Sequence, residues 1–439
     1  MTATPTLLVR GGDVLDGDGR RRADVLVVDG VVAAVAEGID APPGSVVLDA
    51  GACVVAPGLV DLHAHLRQPG REEAETVETG TRAGALGGYT AVVAMPNTEP
   101  AIDNAGTARE VLALGRGALA EVAVAGAITV GRAGERLAPM GELSDLGVVL
   151  FTDDGSGVQD GALMRRALDY ARSLGVTLAQ HCEDEALAAG GSMHEGAWSS
   201  RLGIPGIPAA AEEAMVARDV ALCRLTGAPV HFLHLSSAGS VALVRAAKAQ
   251  GLAVTAEVAP HHLFLTDAET AGYDPVFKVN PPLRTPSDVE ALWGGLGDGT
   301  IDAVATDHAP HAPETKDRPF AEAPPGMLGL ETALAVVLTA LRDGRAEAEE
   351  VDRGLARALA WCSWRPAAIA RLAAHGGPVR AGRPANLCVV DPAATWTVEP
   401  ARLASRSTNT PYAGRTLTGR VRHTVSAGEP VVIDAEAQR

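Results

Sequence analysis

The chain has 439 residues, of which 47% are hydrophobic and 21% charged, and its formal net charge is −17. That length corresponds to two or three ordinary domains, or to one large α/β barrel with an attachment, and the apolar content suffices for a large core. Such acidity argues against non-specific binding to a phosphate backbone, which needs clustered Lys and Arg, so no nucleic-acid partner is expected.

No uninterrupted apolar stretch approaches the ~20 residues that a membrane-spanning helix needs. The first ten residues lack the basic-then-apolar order of a signal peptide. No membrane partner is expected. The five cysteines (Cys53, Cys182, Cys223, Cys362 and Cys388) are odd in number, widely spaced and free of any C-x-x-C pair. They read as buried thiols in a reducing, cytoplasmic setting.

In chain order, residues 1–55 read as short strands with Gly/Asp turns: Thr6–Arg10, Asp24–Val28, Val31–Val35 and Ser45–Asp49. The texture then changes. Eight apolar runs alternate with Ala-rich helical stretches: Leu59–His63, Thr90–Ala94, Val122–Ala127, Val148–Thr152, Thr177–His181, Val230–Leu235, Ala253–Val258 and Ala303–Thr306. A helical stretch at Gly329–Leu341 follows. Strand character returns at Ala385–Val390, Thr395–Val398, Gly419–Val425 and Pro430–Ile433. The expected fold class is α/β, a TIM-type (β/α)8 barrel with a small β-sandwich domain built from both chain ends. The expected boundaries are 1–55 with 380–439 for the composite β-domain and 56–379 for the barrel.

Strand after strand ends in residue types that bind metals or move protons. The first ends in Asp61-Leu62-His63-Ala64-His65, the fourth in Asp153-Asp154-Gly155, and the fifth in His181-Cys182-Glu183-Asp184. The sixth run contains His231 and His234, Pro260-His261-His262 follows the seventh, and Asp307-His308-Ala309-Pro310-His311 follows the eighth. In a barrel these ends meet on one face. Within His63-x-His65 the two imidazoles point to the same side of a strand and reach one ion. Four His and two Asp match the N/O donor set of Zn²⁺ or a similar divalent ion. Taken singly, each piece has a plainer reading: Asp153-Asp154-Gly155 as a turn, His261-His262 as exposed loop groups, Cys182 as a buried structural thiol. Co-location at the strand ends overrides those readings for the set, because of the twelve His only His194, His375 and His423 lie clearly outside the pattern.

Over essentially its whole length the chain resembles the longer bacterial (class I) dihydroorotases of the amidohydrolase superfamily. The resemblance is carried by DLHAHLRQPG at Asp61–Gly70, MPNT at Met95–Thr98, FTDDG at Phe151–Gly155 and HCED at His181–Asp184. It continues through HFLHLSSAGS at His231–Ser240, EVAPHHL at Glu257–Leu263, KVNPPLR at Lys278–Arg284 and ATDHAPH at Ala305–His311. The resemblance implies two divalent metal ions, zinc foremost. His63, His65 and Asp307 would hold one, His181 and His234 the other, with Asp154 bridging. Choosing Asp154 over Asp153 rests on the family pattern. It further implies that Arg67 and Asn97, assisted by His311, hold the substrate carboxylate. Asn280 and the backbone of Pro325 and Gly326 would contact the ring, and Asp307 would act as general base in reversible hydrolysis of L-dihydroorotate. One element departs from the family, which commonly has Pro-Phe-Gly where this chain has Pro324-Pro325-Gly326.

Hydantoinases and allantoinases, the nearest alternatives, usually bridge their metals with a carboxylated lysine on the fourth strand, and this chain has none there. A non-catalytic relative that serves aspartate carbamoyltransferase as a scaffold would typically lack the metal ligands. The expected partner is a small-molecule substrate. A homodimer and an association with aspartate carbamoyltransferase stand as open expectations.

Overall fold

The computed structural model describes residues 4–344 and 351–439. Its centre is a sheet of eight parallel strands: β1 (Leu59–Ala64), β2 (Tyr89–Ala94), β3 (Glu121–Gly126), β4 (Leu150–Phe151), β5 (Leu178–Gln180), β6 (Val230–Phe232), β7 (Val254–Val258) and β8 (Ala303–Val304). Each pairs in parallel with the next. The ring closes through a parallel bridge between Ala64 and His308 and through Asp61, whose carboxylate accepts from Thr306 N (2.7 Å) and Thr306 Oγ1 (2.6 Å). This is the (β/α)8 barrel expected.

Strands covered on both faces need apolar residues without alternation, and β2 (YTAVVA) is buried at every position. The intervening helices start and stop on local chemistry. In Gly161–Leu174, Asp160 caps the first turn and Gly175 takes the left-handed conformation at the end. In Pro286–Asp298, Thr285 and Asp288 form a capping box and Gly299 ends the helix. Among the described residues no helix is long and apolar enough to cross a membrane.

Both chain ends supply the remaining large sheets. One has four strands, Leu7–Arg10, Asp24–Val28, Val31–Ala36 and Val46–Asp49. The other has seven and mixes the ends, because Val54–Pro57 pairs antiparallel with Leu387–Thr397, which pairs with Thr416–Ser426. Leu7, Val25 and Val27 of the first sheet share an apolar cluster with Val55, Val389 and Val425 of the second.

Two details differ from the sequence expectation. The runs Ala385–Val390 and Thr395–Val398 belong to one strand, irregular between Asp391 and Thr395. The hairpin of Asp13–Asp16 with Gly19–Arg22 was not expected, because its second strand is almost entirely Arg and carries no apolar alternation. Arg20 and Arg21 hold it by pairing with Asp13 and Asp16.

Candidate metal and substrate site

The ends of β1, β4, β5, β6 and β8 deliver six side chains to one buried cluster. His63 Nε2 lies 3.4 Å from Asp154 Oδ1 and 3.6 Å from Asp307 Oδ1, and His65 Nε2 lies 3.5 Å from Asp154 Oδ2 and 3.3 Å from Asp307 Oδ1. His181 Nδ1 and His234 Nε2 also approach Asp154 Oδ1, at 3.5 and 3.6 Å, and lie 3.0 Å from each other. Asp154 is thus central to all four imidazoles. Asp153 points elsewhere: it accepts from Ile128 N (2.9 Å), Thr129 N (3.0 Å) and the Thr129 hydroxyl, and so ties down the neighbouring loop. His234 and Asp307 adopt positive φ (27° and 46°), as does Arg67 (60°). Non-glycine residues in this region are uncommon, and such backbone is held only where surrounding structure dictates it.

The tautomers of the first two histidines are set from behind. His63 Nδ1 donates to Glu257 Oε1 (2.9 Å) and His65 Nδ1 donates to Asn97 Oδ1 (2.8 Å), which turns both Nε2 atoms toward the carboxylates. Glu257 is fully buried and also accepts from His231 Nε2 (3.0 Å). Burial pushes its carboxyl up, but the two imidazoles outweigh this and bring it down to about 2. Burial likewise opposes ionisation of Asp154 and Asp307. The surrounding histidines nonetheless hold both below the usual carboxylate range. Burial disfavours a charged His63 too, yet Asp154, Glu257 and Asp307 raise its pKa well above normal.

Two groups here have metal-ligand spacing, His63 with His65 and Asp307, and His63 with Asp154 and His234. His63 Nε2 is buried without a hydrogen-bond partner. A buried imidazole whose far nitrogen is fixed and whose near nitrogen faces ionised carboxylates is satisfied by a cation, so the residues fit a divalent-metal centre.

The substrate-binding candidates surround this cluster. Arg67 is 7% exposed and its Nε donates to Pro310 O (3.1 Å). Arg67, Pro310 and His311 line an open cavity of about 340 Å³ together with Arg71 and Arg318. His311 Nε2 donates to Pro325 O (2.8 Å). Burial, Arg67 and Lys316 push its pKa down to about 3, so the ring is neutral at neutral pH. Asn280 Nδ2 reaches His181 Nε2 at 3.5 Å while its Oδ1 is buried without a partner, a free acceptor beside the cluster. The backbone of Gly326 is already engaged, its N donating to Lys278 O (2.9 Å) and its O accepting from Asn409 Nδ2 (3.1 Å).

Sequence reasoning passed over two features. His261 and His262 are not exposed loop groups. Each is only 2% exposed, on the short helix Pro260–Phe264, and His261 Nε2 lies 3.9 Å from Asp307 Oδ2 with no hydrogen-bond partner. Their position after β7, on the face where the other strand ends gather, places them in the pattern without giving them a role. Glu257, inside β7, has no signal in the sequence for its place behind His63. Cys182 is the buried thiol expected, with burial raising its pKa far above normal.

A parallel eight-stranded barrel with a His/Asp cluster at its strand ends, flanked by an arginine-lined cavity, defines an amidohydrolase. Residues 52–240 match the family described as dihydro-orotase-like. The chain is 50% identical to the dihydroorotase of Streptomyces coelicolor over 438 residues, covering 98% of this chain and 99% of that one. It is 50% identical to the dihydroorotase of Mycobacterium tuberculosis over 424 residues, covering 96% and 97%. Among solved structures it resembles the L-hydantoinase (dihydropyrimidinase) of Arthrobacter aurescens, with a TM-score of 0.87 at 25% identity over 99% of this chain and 97% of that one. The dihydropyrimidinase of Brevibacillus agri, at 22% identity and a TM-score of 0.83 over 99% and 96%, shares the fold. The chain belongs to the dihydroorotase family, and it is a cyclic amide hydrolase.

Proposed function

We propose that the chain catalyses the reversible hydrolysis of L-dihydroorotate to N-carbamoyl-L-aspartate, the ring-closure step of pyrimidine synthesis run in either direction. The observation that carries this reading is the pairing of a six-residue His/Asp cluster with a buried arginine at the same barrel mouth. His63, His65 and Asp307 would hold one divalent ion and His181 with His234 a second, Asp154 serving both, with zinc favoured by the N/O donor set. When bound, such a pair supplies Lewis acidity that lowers the pKa of water and polarises the amide carbonyl.

The chain's own groups do the rest. Arg67 presents a planar fork to the substrate carboxylate, and Asn97 and the neutral His311 complete that end. Asn280 Oδ1 accepts from a ring N–H, for which it has no competing partner. Pro325 and Gly326 bound the ring from their loop. Asp307 is ionised and accepts the proton of the attacking water. As the ring C–N bond breaks, Asp307 returns that proton to the leaving nitrogen, so one water is consumed, a carbamoyl amide and a carboxyl group result, and the carboxyl group ionises at neutral pH with release of its proton to solvent. We further propose that residues 1–55 and 380–439 form one unit and 56–379 the catalytic barrel, a division supported by the apolar cluster shared between both ends.

Turnover of L-dihydroorotate, hydantoin and allantoin, measured side by side on metal-loaded protein, tests the reaction. Preference for dihydroorotate is expected, and preference for either other ring would overturn the substrate. Arg67→Ala tests the anchor: dihydroorotate should suffer far more than 5,6-dihydrouracil, which lacks the carboxylate, whereas equal losses would remove Arg67 from that role.

A further inference from the structure

Between the strands Leu387–Thr397 and Thr416–Ser426 the chain leaves its sheet and returns to the barrel mouth. Ser405 Oγ and Arg406 N donate to Glu75, whose carboxylate also meets His308 Nε2 at 3.2 Å. Four residues further on, Asn409 is 6% exposed and its side-chain amide is saturated. Its Oδ1 accepts from His311 N (3.1 Å), and its Nδ2 donates to Ala309 O (3.0 Å) and Gly326 O (3.1 Å). Its own carbonyl accepts from Leu328 N (3.1 Å).

One amide therefore joins the loop after β8, which carries His311, to the loop that carries Pro325 and Gly326. The fit between these loops is close. Gly326 has φ +145°, and a Cβ there would lie 2.7 Å from His311 Nε2. The donor–acceptor pattern is specific: one N–H and two carbonyls converge, which an amide matches and a carboxylate or hydroxyl does not. All the hydrogen-bond partners of this side chain are backbone atoms, so it sets where the loops stand without itself lining the cavity.

We propose that Asn409 is a positioning residue for the substrate-carboxylate subsite, holding His311 and Gly326 in register with Arg67. The inference rests on the reading of His311 as a substrate contact. Through Asn409 a segment far along the chain completes the barrel's binding mouth, and losing its amide loosens substrate recognition while the metal cluster, which it does not touch, stays intact. Displacement of a positioned group by about 1 Å is enough to cost up to about 100-fold.

The test is steady-state kinetics with L-dihydroorotate on the metal-loaded full chain, comparing wild type, Asn409→Ala, Asn409→Asp, His311→Ala and the double variant Asn409→Ala/His311→Ala. Asn409→Asp keeps the volume and the acceptor for His311 N but sets a carboxylate oxygen against two carbonyls. Both single variants at 409 should raise KM about 10- to 100-fold, hold kcat within about threefold and retain wild-type metal content. The rise in KM in the double variant should be smaller than the product of the two single effects, because the part carried through His311 is lost only once. If His311→Ala leaves KM unchanged, the subsite reading fails. If His311→Ala raises KM while the 409 variants do not, or if metal content and kcat fall as KM rises, the positioning role is overturned. Should neither 409 variant fold, hydrogen exchange on the wild type decides. Dihydroorotate should slow exchange at 405–412, and unchanged exchange there refutes the coupling.

Discussion

Replacing Glu257 by Gln removes one charge from the barrel interior and almost no volume. The carboxylate accepts from His63 Nδ1 at 2.9 Å and from His231 Nε2 at 3.0 Å, and neither it nor the two rings is exposed. The amide can serve only one of these as acceptor and offers the other an N–H. His231 can answer by moving its proton to Nδ1, where Thr255 Oγ1 waits at 2.8 Å. His63 has no such freedom under the proposed metal site, because a proton on Nε2 would sit between Asp154 and Asp307, where the cation would be held. The loss is therefore the charge assistance behind His63. Groups of this kind are worth about 10- to 100-fold in metal affinity, or about 1.4–2.7 kcal/mol. Competition with a chromogenic chelator, read against metal content by atomic absorption, measures it directly. Wild-type affinity in Glu257→Gln would refute the claim that this carboxylate orients His63.

Asp307→Asn preserves shape but cannot take a proton, so turnover should fall about 10²- to 10⁴-fold while the fold survives by circular dichroism; near-normal turnover removes Asp307 as the base. His261→Phe fills the same space and deletes a buried nitrogen that has no partner. Thermal stability of metal-free protein should hold or rise while turnover drops at least about tenfold; unchanged turnover assigns His261 to packing alone. Glu331 gives the pH prediction. Burial raises its pKa from 4.5 to about 7, against the opposing pull of Ala404 N and Arg420. A carboxyl raised in the folded state binds more protons folded than unfolded between those values, so its contribution to stability falls as pH rises from 4.5 to 7. Glu331→Gln should therefore stabilise the protein by about 1–3 kcal/mol at pH 8 and by far less near pH 4.5, measured by urea unfolding. A constant difference across that range would refute it.

What the chain discloses before folding is periodic or positional. All eight barrel strands are readable because strands buried on both faces are mostly apolar without alternation, as in β2. The His/Asp cluster is readable because a barrel carries all its strand ends to one face, so His63 and Asp307 meet although they are 244 residues apart in sequence. Direction is not readable. Asp153 and Asp154 are adjacent and chemically identical, and only the turn after β4 aims one at the histidines and the other at Ile128 and Thr129. For the same reason the burial of His261 and His262 is decided by the short helix that follows β7, which no spacing announces.

Asn409 marks the limit more sharply. Read locally, Asn409-Thr410-Pro411 is a turn former beside a proline, and nothing in its neighbourhood points to Ala309, 100 residues earlier. The pairing exists because the two chain ends build one sheet system beside the barrel, which brings the connection between Leu387–Thr397 and Thr416–Ser426 back over the strand ends. The loop after β8 and the loop at 324–328 already meet directly, Ala309 N donating to Met327 O (2.7 Å) and His311 Nε2 to Pro325 O (2.8 Å). A buried amide supplied by the C-terminal end adds further hydrogen bonds across the same seam. The attachment is therefore coupled to the binding mouth through hydrogen bonds to backbone atoms, where a single substitution separates its effect on substrate from any effect on metal.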